Sequence, residues 1–393
     1  MLKDGMTCMG RAQAAASARN FNGDIAVQQI IRLYLWAILA FCGVTVLGYA
    51  QTVPDSLDAP AQRTPRAARS VLLGITAAGN RLVAVGERGI IVFSDDNGMT
   101  WRQSNVPTSE SLTAVTFPSP QAGWAVGHSG VVLHTEDGGE TWTRQLDGKV
   151  AAELALEGAR AYAAQNPSKP AAKQAVTAAE QLVADGPDKP FLALYFANEQ
   201  TGFVAGAYGV MFRTDDGGKS WKSWMDRLDN PKGLHINAMK AFRDNVYLAG
   251  EEGLFLRSTD KANTFTRVET PYKGSYFTIT VANSGEIVLG GMQGNTYRSS
   301  DQGKTFTKVD VPVQATISVS ATLRDGTLVF VNQAGQILLS QDQGKTMRVV
   351  PAMPLPPTGA ILEGKNGMLS VGVAGVIPFS ISGSGAGKSG GVQ

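Results

Sequence analysis

Six aspartates, Asp96, Asp137, Asp216, Asp260, Asp301 and Asp342, each stand third in an eight-residue box: SDDNGMTW, TEDGGETW, TDDGGKSW, STDKANTF, SSDQGKTF and SQDQGKTM. Carboxylates repeated in a fixed context invite three chemistries: an acid–base pair, a metal cage, or capping of their own backbone. Spacing decides among them. The boxes begin at residues 94, 135, 214, 258, 299 and 340, so the steps are 41, 79, 44, 41 and 41 residues. Units of that length set the carboxylates around a ring, too far apart to pair or to share a cation. Within one box, by contrast, the means of capping are complete. The Asp can accept N–H bonds in a tight turn, the fifth-position Gly admits positive φ, and the Thr or Ser that follows can bond back to the carboxylate. The closing aromatics, Trp101, Trp142, Trp221, Phe265 and Phe306, are expected to pack between sheets, about 150–250 Å² each. The boxes read as staples, and their drift to Ala262 and Met347 fits a structural role.

Other chemistry-bearing types are sparse. There are three histidines, His128, His134 and His235, with no His/Asp/Glu cluster at metal spacing. Glu251 and Glu252 are adjacent, which is poor geometry for a glycosidase acid and nucleophile. RTPR at 63–66 does not match the early motif of a sialidase, and no Gly-rich phosphate loop precedes a helix. No catalytic residue, metal or cofactor is expected.

The elements that hold these residues follow from the repeat. Upstream of each box lies a small turn and an apolar run: VGERGIIVF, VGHSGVVLH, AGAYGVMFR, AGEEGLFLR, GGMQGNTYR and VNQAGQILL, with a seventh copy, VGVAGVIPF, at 371 that has no box. A period near 41 with four short apolar runs per unit is the pattern of a β-propeller blade. The expected fold is all-β, a seven-bladed propeller of four-stranded antiparallel blades over 51–380, with a helical insert after blade 2. That insert, 149–188, is Ala-rich and broken by NPSKP, which suits two short helices. The last blade runs into the Gly/Ser-rich tail 381–393, so its fourth strand is expected from Ala61 to Arg69, closing the ring.

The chain has 393 residues, 43% apolar and 17% charged, which is a globular composition. Residues 1–50 carry four of the 35 basic and two of the 33 acidic residues, leaving 31 against 31. That balance gives no reason to expect a nucleic-acid partner. Leu33 to Ala50 is an unbroken apolar run after Arg32, ending in small residues before polar QTVPDS. It reads as a secretory signal, with a retained anchor as the alternative. The stretch before Arg32 is long for such a leader, as an early-assigned start would make it. Both cysteines, Cys8 and Cys42, fall in the leader, so packing alone must hold the exported domain.

The boxes resemble the Asp-box (BNR) repeat, and the whole set is similar to the photosystem II stability/assembly factor family over residues 61–380. The resemblance implies a non-enzymatic propeller on the non-cytoplasmic side of a membrane: periplasmic, or in the thylakoid lumen of a photosynthetic host. It also implies a role in assembling membrane complexes, peripheral to the membrane and monomeric by itself. The Ala-rich insert departs from the family pattern. The same box occurs in sialidases, so a glycan-binding or glycoside-hydrolysing propeller stands as the other reading.

For a protein-binding propeller, two surfaces are candidates. The B–C turns, with Arg88, His128, Tyr208, Glu251 and Glu252, share one face with the insert, opposite the boxes. The residues just before the boxes include His134, Arg213, Arg257 and Arg298. Three successive blades place Arg there, an arc suited to an acidic partner surface.

Overall fold

A computed structural model describes residues 55–381; the leader with both cysteines, and the tail from 382 onward, lie outside the described residues. Each repeat forms one antiparallel sheet whose strands, A to D, lie side by side in chain order. In sheet 2 these are Leu112–Thr116, Gly123–Gly127, Val132–Thr135 and Thr143–Leu146. The B strands are buried throughout, apart from the first residues Arg81 and Asn245 in sheets 1 and 4, because each is covered on both faces by neighbouring sheets. That double burial explains why runs such as GWAVG and GFVAG are unbroken apolar stretches without the alternation of a half-exposed strand.

Strand A of every sheet packs against strand A of the next, and strand A of sheet 7 (Thr358–Glu363) returns onto that of sheet 1 (Leu72–Ala78). The described residues therefore close a ring of seven sheets, with A innermost and D outermost. At the seam the approach is tight: a Cβ added to Gly359 would lie 2.9 Å from Leu73 Cα.

Six sheets have four strands and sheet 7 has three: Thr358–Glu363, Met368–Gly372 and Gly375–Phe379. The strand expected from residues 61–69 does not form. In the other sheets the first C–D pairs are Phe93 with Arg102, His134 with Thr143, Arg213 with Lys222, Arg257 with Thr266, Arg298 with Thr307 and Leu339 with Arg348. Pro378 holds that position in sheet 7, as its pairing with Leu369 shows, and proline has no N–H to offer a fourth strand. The N-terminal segment instead straps the outside of the ring. The Ala61 amide donates to the Val106 carbonyl at 3.0 Å, the Thr64 amide to Gln103 Oε1 at 3.0 Å, and Leu57 is buried in the core of sheets 1 and 2. A 3-10 turn at Ala67–Arg69 then rests on the start of strand C of sheet 7. In place of the missing box aromatic, Phe379 and Ile381 fill the core between sheets 6 and 7.

The insert is a hairpin of two helices, α1 (Gly148–Gln165) and α2 (Pro170–Asp185). Asp147 caps α1 by accepting the amides of Lys149 and Val150, and Pro170 opens α2, where its missing N–H costs nothing. The apolar face of α1 (Ala151, Ala152, Ala155) and Ala179 and Leu182 of α2 join Trp124, Phe191, Phe212 and Trp221 in one cluster.

Candidate functional site

The six boxes share one hydrogen-bond pattern. In the second, the Thr135 hydroxyl donates to Asp137 Oδ1 at 2.7 Å, while the Thr141 amide and hydroxyl reach the same carboxylate at 3.0 and 2.6 Å. Residues four and five of each box are both left-handed: Gly138 and Gly139 in box two, but Lys261 and Ala262, at φ 58° and 62°, in box four. The first-position hydroxyl does more than the sequence reading assigned to it. Ser94, Thr135, Thr214, Ser258, Ser299 and Ser340 are all buried, and each accepts the amide of its fifth residue while donating to its Asp. The signal for it was present, since every box begins with Ser or Thr.

These bonds hold the carboxylates in their charged form. Hydrogen bonds from Thr100 and Ser94 lower Asp96 to about 2, and Ser220 does the same to Asp216. Around Asp342, burial works in the opposite sense, but the Thr346 and Ser340 bonds outweigh it, again to about 2. Both oxygens of each carboxylate accept bonds from their own box. Among the described residues no three His, Cys, Asp or Glu side chains gather as a metal cage.

In sheets 1 to 5 the B–C turns are 3-10 turns whose middle residue is left-handed, including Arg88, Tyr208 and Glu252. The glycine before them must be glycine for want of room: a Cβ on Gly206 would lie 2.1 Å from the Pro190 carbonyl oxygen. The start of α1 packs against the B–C turn of sheet 2, so insert and turns share a face, as the sequence reading places them. On that face the structure brings Tyr208 and Glu251 together through His235. The Tyr208 ring lies 5.0 Å from His235, whose amide donates to Glu251 Oε2 at 3.1 Å, and Lys189 stands 4.6 Å over the Tyr208 ring. Glu252 is tied to Lys232 at 2.6 Å. Arg88 and His128 are exposed on separate turns.

On the outer strands the candidates part company. His134 is stacked on Trp124 at 4.4 Å, which stacks on Phe196 at 3.9 Å, and burial lowers its pKa. Arg213 pairs with Asp215 at 2.7 Å and crosses to Asn263 in the next sheet's box at 3.1 Å. Arg298 likewise donates to the Gln343 carbonyl in the next box at 2.7 Å and lies 3.5 Å from Glu286. Sequence reasoning missed the equivalent clamp in sheet 1, because Arg81 sits on strand B. It pairs with Asp95 and Glu140 and donates to Gly138 O in the second box at 3.2 Å. Arg257 differs from these three. It has no carboxylate partner among the described residues, and its buried Nε has no hydrogen-bond acceptor.

A model of the family Photosynthesis system II assembly factor YCF48 matches residues 71–160 and 173–350. The chain belongs to this family. Two solved YCF48 structures share its fold. One, described as YCF48 bound to D1 peptide, is 16% identical over 78% of this chain and 92% of that one, with a TM-score of 0.58. The other, YCF48 from Cyanidioschyzon merolae, is 19% identical over 81% and 97%, with a TM-score of 0.58. The WD40 β-propeller domain of Doa1, 9% identical over 82% and 95% with a TM-score of 0.56, shows how widely the architecture is shared. No curated protein matches the sequence. The interval between the two YCF48 segments, 161–172, covers the end of α1, the connection and the start of α2. The tip of the hairpin therefore lies outside the matched segments.

Proposed function

We propose that this YCF48-family chain is an exported, non-enzymatic scaffold that holds an acidic protein segment during assembly of a membrane protein complex, with Arg257 as its main anchor. One observation carries the reading: among the described residues Arg257 is a cation without a counter-ion. In the flanking sheets the acids come from Asp215, two residues after Arg213, and from Glu286, just before strand B. The matching positions in sheet 4 are Thr259 and Asn245, both neutral. A guanidinium kept unpaired beside two quenched ones is poised for a carboxylate from outside, since its planar donors match that group. Arg213 and Arg298 flank it and supply a weaker field, being paired already. The peptide-bound relative supports the class of partner, and the apolar leader supports export.

The test is capture of membrane-complex subunits from the native envelope by the wild-type domain and by Arg257→Glu, with partners identified by mass spectrometry. The reading expects a partner that is lost with Arg257→Glu and whose contact segment is acidic. Equal capture by both proteins would refute it. N-terminal sequencing of the protein from its host separates a cleaved signal from a retained anchor.

A further inference from the structure

The seven inner strands carry almost no charge. Among them only Lys240 and Glu363 are ionisable apart from Tyr195 and Tyr276. Glu363 is satisfied by the Arg324 amide at 2.8 Å and by its guanidinium at 4.0 Å. Lys240 has no carboxylate within ion-pairing distance among the described residues. An inner strand is bonded to strand B along one edge and flanked on its faces by neighbouring A strands, so an exposed side chain on it opens to the axis of the ring. Lys240 is such a residue, as is Phe277. The residue as a whole is exposed, yet protein crowds around its ammonium, and that desolvation lowers its pKa.

Its depth is set by the strand. Ile236–Phe242 runs from the B–C face to the A–B turn on the box face, so Lys240 sits about 7 Å from the box-face end and about 13 Å from the other, at ~3.3 Å per residue. At the near mouth, exposed Arg243 lies on the A–B turn, its guanidinium 5.2 Å from the Phe242 ring and in no ion pair among the described residues. On the neighbouring inner strand, the position equivalent to Lys240 is the half-buried Tyr195.

We propose that the axial channel is an anion site, in which Lys240 receives a carboxylate that enters from the box face past Arg243. An enclosed cation without a counter-ion destabilises the empty ring, and a carboxylate ligand removes that cost. The proposal deepens the scaffold reading, placing a second carboxylate of the acidic segment on the axis, but it does not depend on Arg257.

The test uses the full-length protein at constant ionic strength, with chloride as reference anion. Thermal unfolding is followed with acetate, with an acidic decapeptide bearing a free C-terminal carboxylate, and with the same peptide amidated. The wild type should gain stability from acetate and bind the peptide. Lys240→Met should melt higher than wild type without ligand, lose the acetate response and bind the peptide about tenfold more weakly, while Lys240→Arg retains both. A tenfold loss on amidation assigns the site to a chain terminus, and equal binding assigns it to a side chain. Arg257→Glu should keep the acetate response, so failure of the anchor reading is distinguishable from failure of this one. A Lys240→Met protein that responds like wild type, or a wild type indifferent to every carboxylate, overturns the proposal.

Discussion

The Thr141 hydroxyl lies 2.6 Å from Oδ2 of Asp137, and the Thr141 amide meets the same carboxylate from the same side of the turn. This closed loop of bonds makes the box a local lock, with both carboxylate oxygens engaged by the turn itself. Asp137→Ala leaves the Thr141 hydroxyl and the Glu140 and Thr141 amides to water, and the buried Thr135 hydroxyl without its acceptor. The expected loss is about 1–2 kcal/mol, read as a lower urea midpoint with an unchanged m-value. Partner affinity should stay constant; a loss of binding at full stability would mean that the box is a site after all.

Acid should weaken the ring through the same carboxylates. Asp96, Asp216 and Asp342 are held near 2 by their Thr or Ser partners, against about 3.9 in an unfolded chain. Between those values the unfolded state binds more protons, so stability from this source is full above about pH 4 and declines as pH falls toward 2. Urea midpoints measured from pH 6 to pH 2.5 check the slope. Asp216→Asn should flatten it, having already given up the charged hydrogen bonds.

Much of this architecture was legible because it is local. The B–C turns and the capping of Asp96 or Asp137 involve residues within a few positions of one another, and the period near 41 residues repeats these local units along the chain. Even the hairpin announced itself, through Ala content and Pro170. The seam was not legible, because closing it is a contest between segments more than 300 positions apart, and one residue, Pro378, decides it. The internal pairing of the arginine arc was not legible for a similar reason. Its quenching acids lie partly on other strands, as Glu286 does for Arg298, and its acceptors lie in the next sheet's box. Sequence spacing showed three equal cations; geometry shows two clamps and one group that is unpaired among the described residues.

That inequality can be measured. Arg213→Ala removes the bridge to Asn263 and the stacking over Phe203 and Trp224, and Arg298→Ala removes the bond to the Gln343 carbonyl. Each should cost about 1–2 kcal/mol in urea unfolding. Arg257→Ala breaks no ion pair and should fall within about 0.5 kcal/mol of wild type. In partner capture the order should invert, with Arg257→Ala the most affected. Equal destabilisation by all three variants would contradict the division into clamps and anchor.

Pro378 offers the sharpest test of how the seam is guarded. Gly372 and Gly375 close a two-residue turn, and pairing alternates from there, so the backbone nitrogen of residue 378 faces away from strand B. The same parity appears in sheet 1, where the Ile91 carbonyl, two residues before Phe93, turns outward to the Ser104 amide. In every other sheet a D strand uses this edge. In sheet 7 the edge is open, and a proline there withholds the one donor a fourth strand needs first. Pro378→Thr restores that donor and a β-branched side chain without touching the core. The variant should keep its urea midpoint within about 1 kcal/mol and gain concentration-dependent self-association through edge pairing, seen by sedimentation velocity as a species absent from wild type. Adding Lys at Ile377 beside the restored Thr should suppress it, because a charge on an open edge opposes pairing. If Pro378→Thr sediments as wild type does at every concentration, the edge is protected by something other than the missing N–H.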